Sequence, residues 1–122
     1  MGKVSKIFIV EDEIVSGKLL KTILTKKGFE IVGFEATGEN TLEVIKTNIP
    51  DLVLMDIQLA GVINGIETTR QIQLWKNIPV IFLTAYAESD IKDKALLLNP
   101  VAYLLKPYKM NNILKIIDSI EI

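Results

Sequence analysis

The feature that most constrains this chain is an alternation that runs from end to end. Short apolar runs are each followed by a longer segment whose apolar residues recur at helical spacing. "KIFIV" (6–10) reads as a strand and "IVSGKLLKTILTKKG" (14–28) as a helix, with Val15, Leu19, Ile23 and Leu20, Leu24 at helical intervals and Gly28 as its stop. "FEIVGFEA" (29–36) is a more polar, alternating strand of the kind found at a sheet edge. The helix that follows opens on Thr37 as a cap and carries Leu42, Ile45 and Ile49 along one side. The pattern then repeats three times: strands at 51–55, 80–84 and 101–105, helices at 64–77, 88–99 and 108–120. Met110, Ile113, Leu114, Ile117 and Ile120 form the last apolar stripe.

Strands alternating with helices specify an α/β fold, a parallel sheet with helices on both faces, because parallel neighbours need crossover connections and those crossovers are right-handed. The pattern does not set the strand order. No repeat, linker or low-complexity segment interrupts it, so residues 1–122 are expected to form one domain with its core at about 5–120.

Composition narrows the chemistry. The chain has no Cys and no His, which removes disulfides, thiolate or imidazole metal sites, Ser-His catalysis and any histidine-borne phosphoryl group. A metal site would have to use oxygen ligands, which suits Mg²⁺, with Mn²⁺ or Ca²⁺ as the alternatives. The net charge of −1 and the scattered lysines offer no footprint for nucleic acid or a membrane surface. No signal peptide or membrane-spanning run is visible, and the expected location is the cytoplasm.

In a doubly wound sheet, ligands bind beyond the carboxyl ends of the strands. The first strand runs into Glu11, Asp12 and Glu13, the third into Asp56, the fourth ends on Thr84 and the fifth runs into Lys106. "DLVLM" is apolar throughout, so Asp56 continues a buried strand, where a charge is costly unless it is paired. A divalent cation and Lys106 would provide that pairing. A carboxylate so placed is suited to covalent attack on phosphorus, with the cation and Lys106 holding two phosphoryl oxygens and the Thr84 hydroxyl donating to a third.

These residues resemble the receiver domain of two-component response regulators over essentially the whole chain. The matching pieces are "IFIVEDE", "DLVLMDIQL", "NGIE", "VIFLTAY" and "AYLLKPY", in the family's order. The resemblance implies a flavodoxin-like (βα)₅ sandwich with strand order 2-1-3-4-5 and phosphorylation at Asp56. It also implies Mg²⁺ bound by Asp12, Asp56 and the Gln58 backbone carbonyl, with Glu11 contributing through water. Thr84 and Lys106 would contact the phosphoryl group, Tyr103 would change rotamer on activation, and Lys106-Pro107 would be cis. The implied partner is a sensor histidine kinase or a phosphotransfer protein. The implied output is a change in the face built from residues 88–120, which would dock a partner or a second copy of the chain.

Two positions depart from the family pattern: Glu11 stands where many members have aspartate, and the loop "QLAGVINGIE" is one residue longer than the commonest form, with Ala60 in place of a common proline. Catalysis is expected to act on the chain itself, through phosphotransfer to Asp56 and its later hydrolysis. The alternative is a Mg²⁺-dependent hydrolase with an aspartyl nucleophile. Haloacid-dehalogenase-like enzymes of that kind place a second aspartate two residues after the first, where this chain has Gln58.

Overall fold

The computed structural model describes residues 2–122. Five strands, β1 (Lys6–Val10), β2 (Glu30–Glu35), β3 (Leu52–Met55), β4 (Val80–Thr84) and β5 (Ala102–Leu105), form one sheet in the order β2-β1-β3-β4-β5. Every pairing is parallel, with Ile7 opposite Leu52, Val53 opposite Val80 and Ile81 opposite Ala102. The helices are α1 (Ile14–Lys26), α2 (Gly38–Val44), α3 (Gly65–Trp75), α4 (Ser89–Leu96) and α5 (Met110–Ser119). The strand order and the doubly wound flavodoxin-like arrangement are as expected.

Alternate residues of each central strand point to opposite faces, and this divides the core in two. Ile7, Ile9, Leu52, Leu54, Ile81 and Leu83 pack with Leu20 and Leu24 of α1 and Ile113 and Ile117 of α5. Phe8, Val10, Val53, Met55, Val80 and Phe82 pack with Ile72 of α3, Ala95 of α4 and Ile45 just beyond α2. Each fully buried Leu, Ile or Phe contributes about 1.5–3 kcal/mol over an exposed one. β3 is buried along its whole length, which is why it reads as a continuous apolar run.

Two helix readings are adjusted. Leu20 and Leu24 face the sheet, whereas Val15 and Leu19 are 82% and 60% exposed. The α2 helix ends at Val44, well short of 49, so Ile49 lies outside it and is exposed. Thr37 caps α2 as expected, its hydroxyl accepting from the Asn40 N–H at 3.0 Å.

Candidate functional site

The carboxyl ends of β1, β3, β4 and β5 bring the expected residues to one edge. The sheet ladder continues into the site: the Glu11 N–H donates to the Glu35 carbonyl at 3.0 Å and the Asp56 N–H to the Val10 carbonyl at 3.0 Å. Both acids are thereby fixed by backbone before their side chains make any contact. Glu11 and Asp56 are each only 7% exposed, and Asp12 is more open.

Lys106 reaches in from the end of β5. Its Nζ lies 2.5 Å from Glu11 Oε1, 2.9 Å from Asp56 Oδ2 and 3.7 Å from Glu13 Oε1. The Lys106 N–H is held by the Thr84 carbonyl at 2.8 Å, and the Lys106-Pro107 bond is cis. Burial works against the Lys106 charge, but its hydrogen bonds to Glu11 and Asp56 outweigh this and raise its affinity for the proton. Burial pushes the Glu11 carboxyl from 4.5 up to about 7, against the opposing pull of the Lys106 ammonium. One ammonium does not neutralise three carboxylates, so the site retains affinity for a further positive charge.

Carboxylate oxygens of Glu11, Asp12 and Asp56 all lie within 4.8 Å of one another. Oxygen ligands on opposite sides of Mg²⁺ stand about 4 Å apart, so this set fits a hard divalent cation in both span and donor type. Asp12 and Asp56 line a cavity of about 270 Å³ together with Gln58, Thr84, Tyr86 and Lys106. Thr84 is fully buried; its Oγ1 accepts from the Tyr86 N–H at 3.2 Å, which leaves its own proton free to donate into the cavity. The Tyr103 hydroxyl donates to the Tyr86 carbonyl at 2.7 Å.

The family model for the response regulator receiver domain matches residues 7–118. The chain belongs to the receiver-domain family. It is 32% identical over 109 residues to sporulation initiation phosphotransferase F of Bacillus subtilis, covering 88% of this chain and 86% of that protein. It is 30% identical over 113 residues to the transcriptional regulatory protein PdtaR of Mycobacterium tuberculosis, covering 93% of this chain but 55% of PdtaR. The chain thus spans about half the length of that relative. Among solved structures, the signal receiver domain of a modulated diguanylate cyclase from Desulfovibrio desulfuricans G20 superposes with a TM-score of 0.87 at 29% identity, covering 94% of this chain and 91% of that one. The BeF3-activated N-terminal receiver domain of RstA from Klebsiella pneumoniae superposes at 0.83 with 31% identity, covering 91% and 93%.

Receiver domains are signalling domains phosphorylated on an aspartate; they bind Mg²⁺ through acidic residues and interact with histidine kinases or phosphotransfer proteins. In this receiver domain Glu11, Asp12, Asp56, Gln58, Thr84 and Lys106 come to the same end of the sheet, and Tyr103, within β5 opposite Phe82, reaches towards it through its hydroxyl on the Tyr86 carbonyl.

Three further contributors carried little sequence signal. Tyr86 joins Thr84 to Tyr103 through its own backbone, which side-chain chemistry does not announce. Glu13, at the N-cap position of α1, also faces Lys106. At Gly65 a Cβ would stand 2.0 Å from the Asp56 carbonyl oxygen, so α3 can approach the end of β3 only without a side chain there. Gly65 lies within "NGIE", but the backbone contact that demands it is visible only in three dimensions. Among the described residues no helix is long and apolar enough to cross a membrane.

Proposed function

We propose that Asp56 is the phosphoacceptor and that this single receiver domain, with its core at residues 5–120, switches the α4-β5-α5 face in response. The observation that carries this reading is the Asp56 carboxylate, held at 2.9 Å by Lys106, grouped with Glu11 and Asp12, and lining a cavity with Asp12 and Thr84. An Asp56 oxygen forms the new bond to phosphorus while the bond from phosphorus to the donor's nitrogen breaks, and the donor imidazole leaves with that electron pair. The donor is a sensor histidine kinase or a phosphotransfer protein. Asp12, Asp56 and the Gln58 carbonyl would hold Mg²⁺, or Mn²⁺, with Glu11 acting through water. Bound there, the cation supplies charge neutralisation of the phosphoryl oxygens.

Lys106 holds a phosphoryl oxygen and the Thr84 hydroxyl donates to another. Movement of Thr84 releases the Tyr86 N–H, and Tyr103, bonded to the carbonyl of the same residue, turns inward. The chemistry is directed at the chain itself, with no external substrate beyond the phosphodonor. The α4-β5-α5 face then docks a partner protein or a second copy, and this domain makes no contact with nucleic acid. A soluble, cytoplasmic protein fits these roles.

Intact-mass measurement after incubation with acetyl phosphate and Mg²⁺ tests the assignment. The expected result is one hydroxylamine-labile phosphoryl group on wild type and none on Asp56→Asn. Undiminished labelling of Asp56→Asn would remove Asp56 from its role.

A further inference from the structure

The loop between Asp56 and α3 carries Gln58, and it is tied at its middle to the start of α2, which packs on the same face of the sheet as α3. The Val62 N–H donates to Glu39 Oε2 at 2.7 Å, linking the loop to the first turn of α2 across 23 positions of sequence. Beside it, Ala60 forms an isolated parallel bridge with Thr37. Between the two ties lies Gly61, with φ +93, where a Cβ would stand 2.8 Å from Glu39 Oε1. That Oε1 atom is itself buried without a hydrogen-bond partner. The Val62 N–H, foremost among several backbone donors, holds the Glu39 carboxyl below its ordinary value.

We propose that Glu39 is a positioning residue for the metal: by gripping the loop at Val62, it fixes where the Gln58 carbonyl stands. This rests on the proposed function, in which that carbonyl is a ligand. A backbone ligand contributes affinity only when its peptide is held in place, because rotation of the chain swings the oxygen out of the coordination shell. The loop's two ends are fixed by the Asp56 N–H to Val10 and the Gly65 N–H to Ile57 at 2.7 Å. The long span between them is fixed by Glu39 and the Thr37 bridge. A carboxylate gripping a backbone N–H makes a stronger bond than a neutral acceptor would, and Gly61 leaves room for it. Supporting groups behind metal ligands typically change affinity by about 10–100-fold.

Calorimetric Mg²⁺ titration of the full chain, paired with amide hydrogen exchange by NMR, tests this. Glu39→Ala is expected to weaken Mg²⁺ binding by roughly tenfold and to speed exchange at Val62. Glu39→Gln retains an oxygen acceptor and is expected to recover most of the affinity, whereas the exposed control Glu43→Gln should change nothing. Gly61→Ala attacks the same grip from the loop side and should reproduce the loss while the rest of the sheet keeps its exchange protection.

If wild type binds Mg²⁺ and Glu39→Ala matches it within twofold, the positioning role is wrong. If Glu39→Gln is as weak as Glu39→Ala, charge rather than placement is responsible, and the proposal also falls. A wild type that binds no Mg²⁺ at all overturns the metal reading itself, and the positioning role with it.

Discussion

The two loops flanking Asp56 are held in opposite ways. Residues 57–64 are tied by contacts that lie away from the phosphoacceptor's side chain: Glu39 on Val62, Thr37 on Ala60, and the Asn64 side chain capping α3 by accepting from Glu67 N–H at 2.9 Å. Residues 85–87 are tied, among the described residues, by two hydrogen bonds at Tyr86, whose N–H donates to Thr84 Oγ1 and whose carbonyl accepts from the Tyr103 hydroxyl. The α4 helix that follows has Glu88 at its N-cap position but no side-chain cap, so no capping side chain substitutes for those bonds. Both residues that hold the second loop are the ones proposed to respond to phosphate. The first loop is therefore built to stay in place and the second to move with the signal.

Gly65→Ala should break this contrast most severely. The new Cβ must push the Asp56 carbonyl, which is backbone and cannot yield cheaply. A loss of about 3 kcal/mol is expected, at the upper end for overpacking, together with weakened Mg²⁺ binding. Urea unfolding measures the first and calorimetry the second; an unchanged midpoint would show that the two elements separate freely.

Thr84→Ala comes next. It leaves the Tyr86 N–H without its acceptor, a cost of about 2 kcal/mol. Asp56 should still take up phosphate, but beryllofluoride should no longer shift the amides of 88–120. Shifts equal to those of wild type would show that the second loop does not carry the signal.

A pH titration sharpens the comparison without any mutation. Glu11 keeps its proton in the folded chain up to about 7, where the unfolded chain has lost it near 4.5. The metal-free fold therefore loses stability as pH rises through that window, since there the native state binds more protons than the unfolded one. Mg²⁺ must displace the same proton, so its affinity should rise by up to tenfold per pH unit below about 7, or about 1.4 kcal/mol, and then level off. Glu11→Gln should flatten that curve. A slope that survives the substitution would place the proton elsewhere.

Tyr103→Phe is the mildest change. It removes the hydroxyl bonded to the Tyr86 carbonyl but keeps the ring packed against Phe82, their centroids 6.2 Å apart. About 1 kcal/mol should be lost, and hydrogen exchange should quicken in residues 85–87 while 57–64 stay as they were. Equal quickening in both loops would erase the distinction between them.

How far the sequence could be read follows from where each contact originates. Glu11, Asp56, Thr84 and Lys106 are legible because each stands where an apolar run ends, and parallel strands must end on the same side of the sheet. The Thr37 cap is legible because its partner Asn40 is three residues away. Glu39 is not: it reads as a solvated acid in a first helical turn, and its partner lies 23 positions on. The orientation of α1 was ambiguous for another reason. Val15-Leu19-Ile23 and Leu20-Leu24 repeat equally well at helical spacing, and only packing shows that Leu20 and Leu24 face the sheet. Tyr86 acts through its peptide groups, which any residue would supply.

The position of β1 inside the sheet has a consequence for how the chain assembles. β1 is made early but stands between β2 and β3, and Ile7 must wait for Leu52 before its second edge is closed. Parallel pairings over such separations form slowly, because a long loop has to close before any contact rewards it. Meanwhile "KIFIV" is a bare, sticky edge of the kind that recruits other chains. Directly after it come Glu11, Asp12 and Glu13, with Lys6 at its start. Like charges at the end of an apolar segment repel a second copy laid alongside in register, and such flanking residues act as gatekeepers against aggregation. The acids grouped for a cation in the finished protein thus also guard this strand while the chain is still folding.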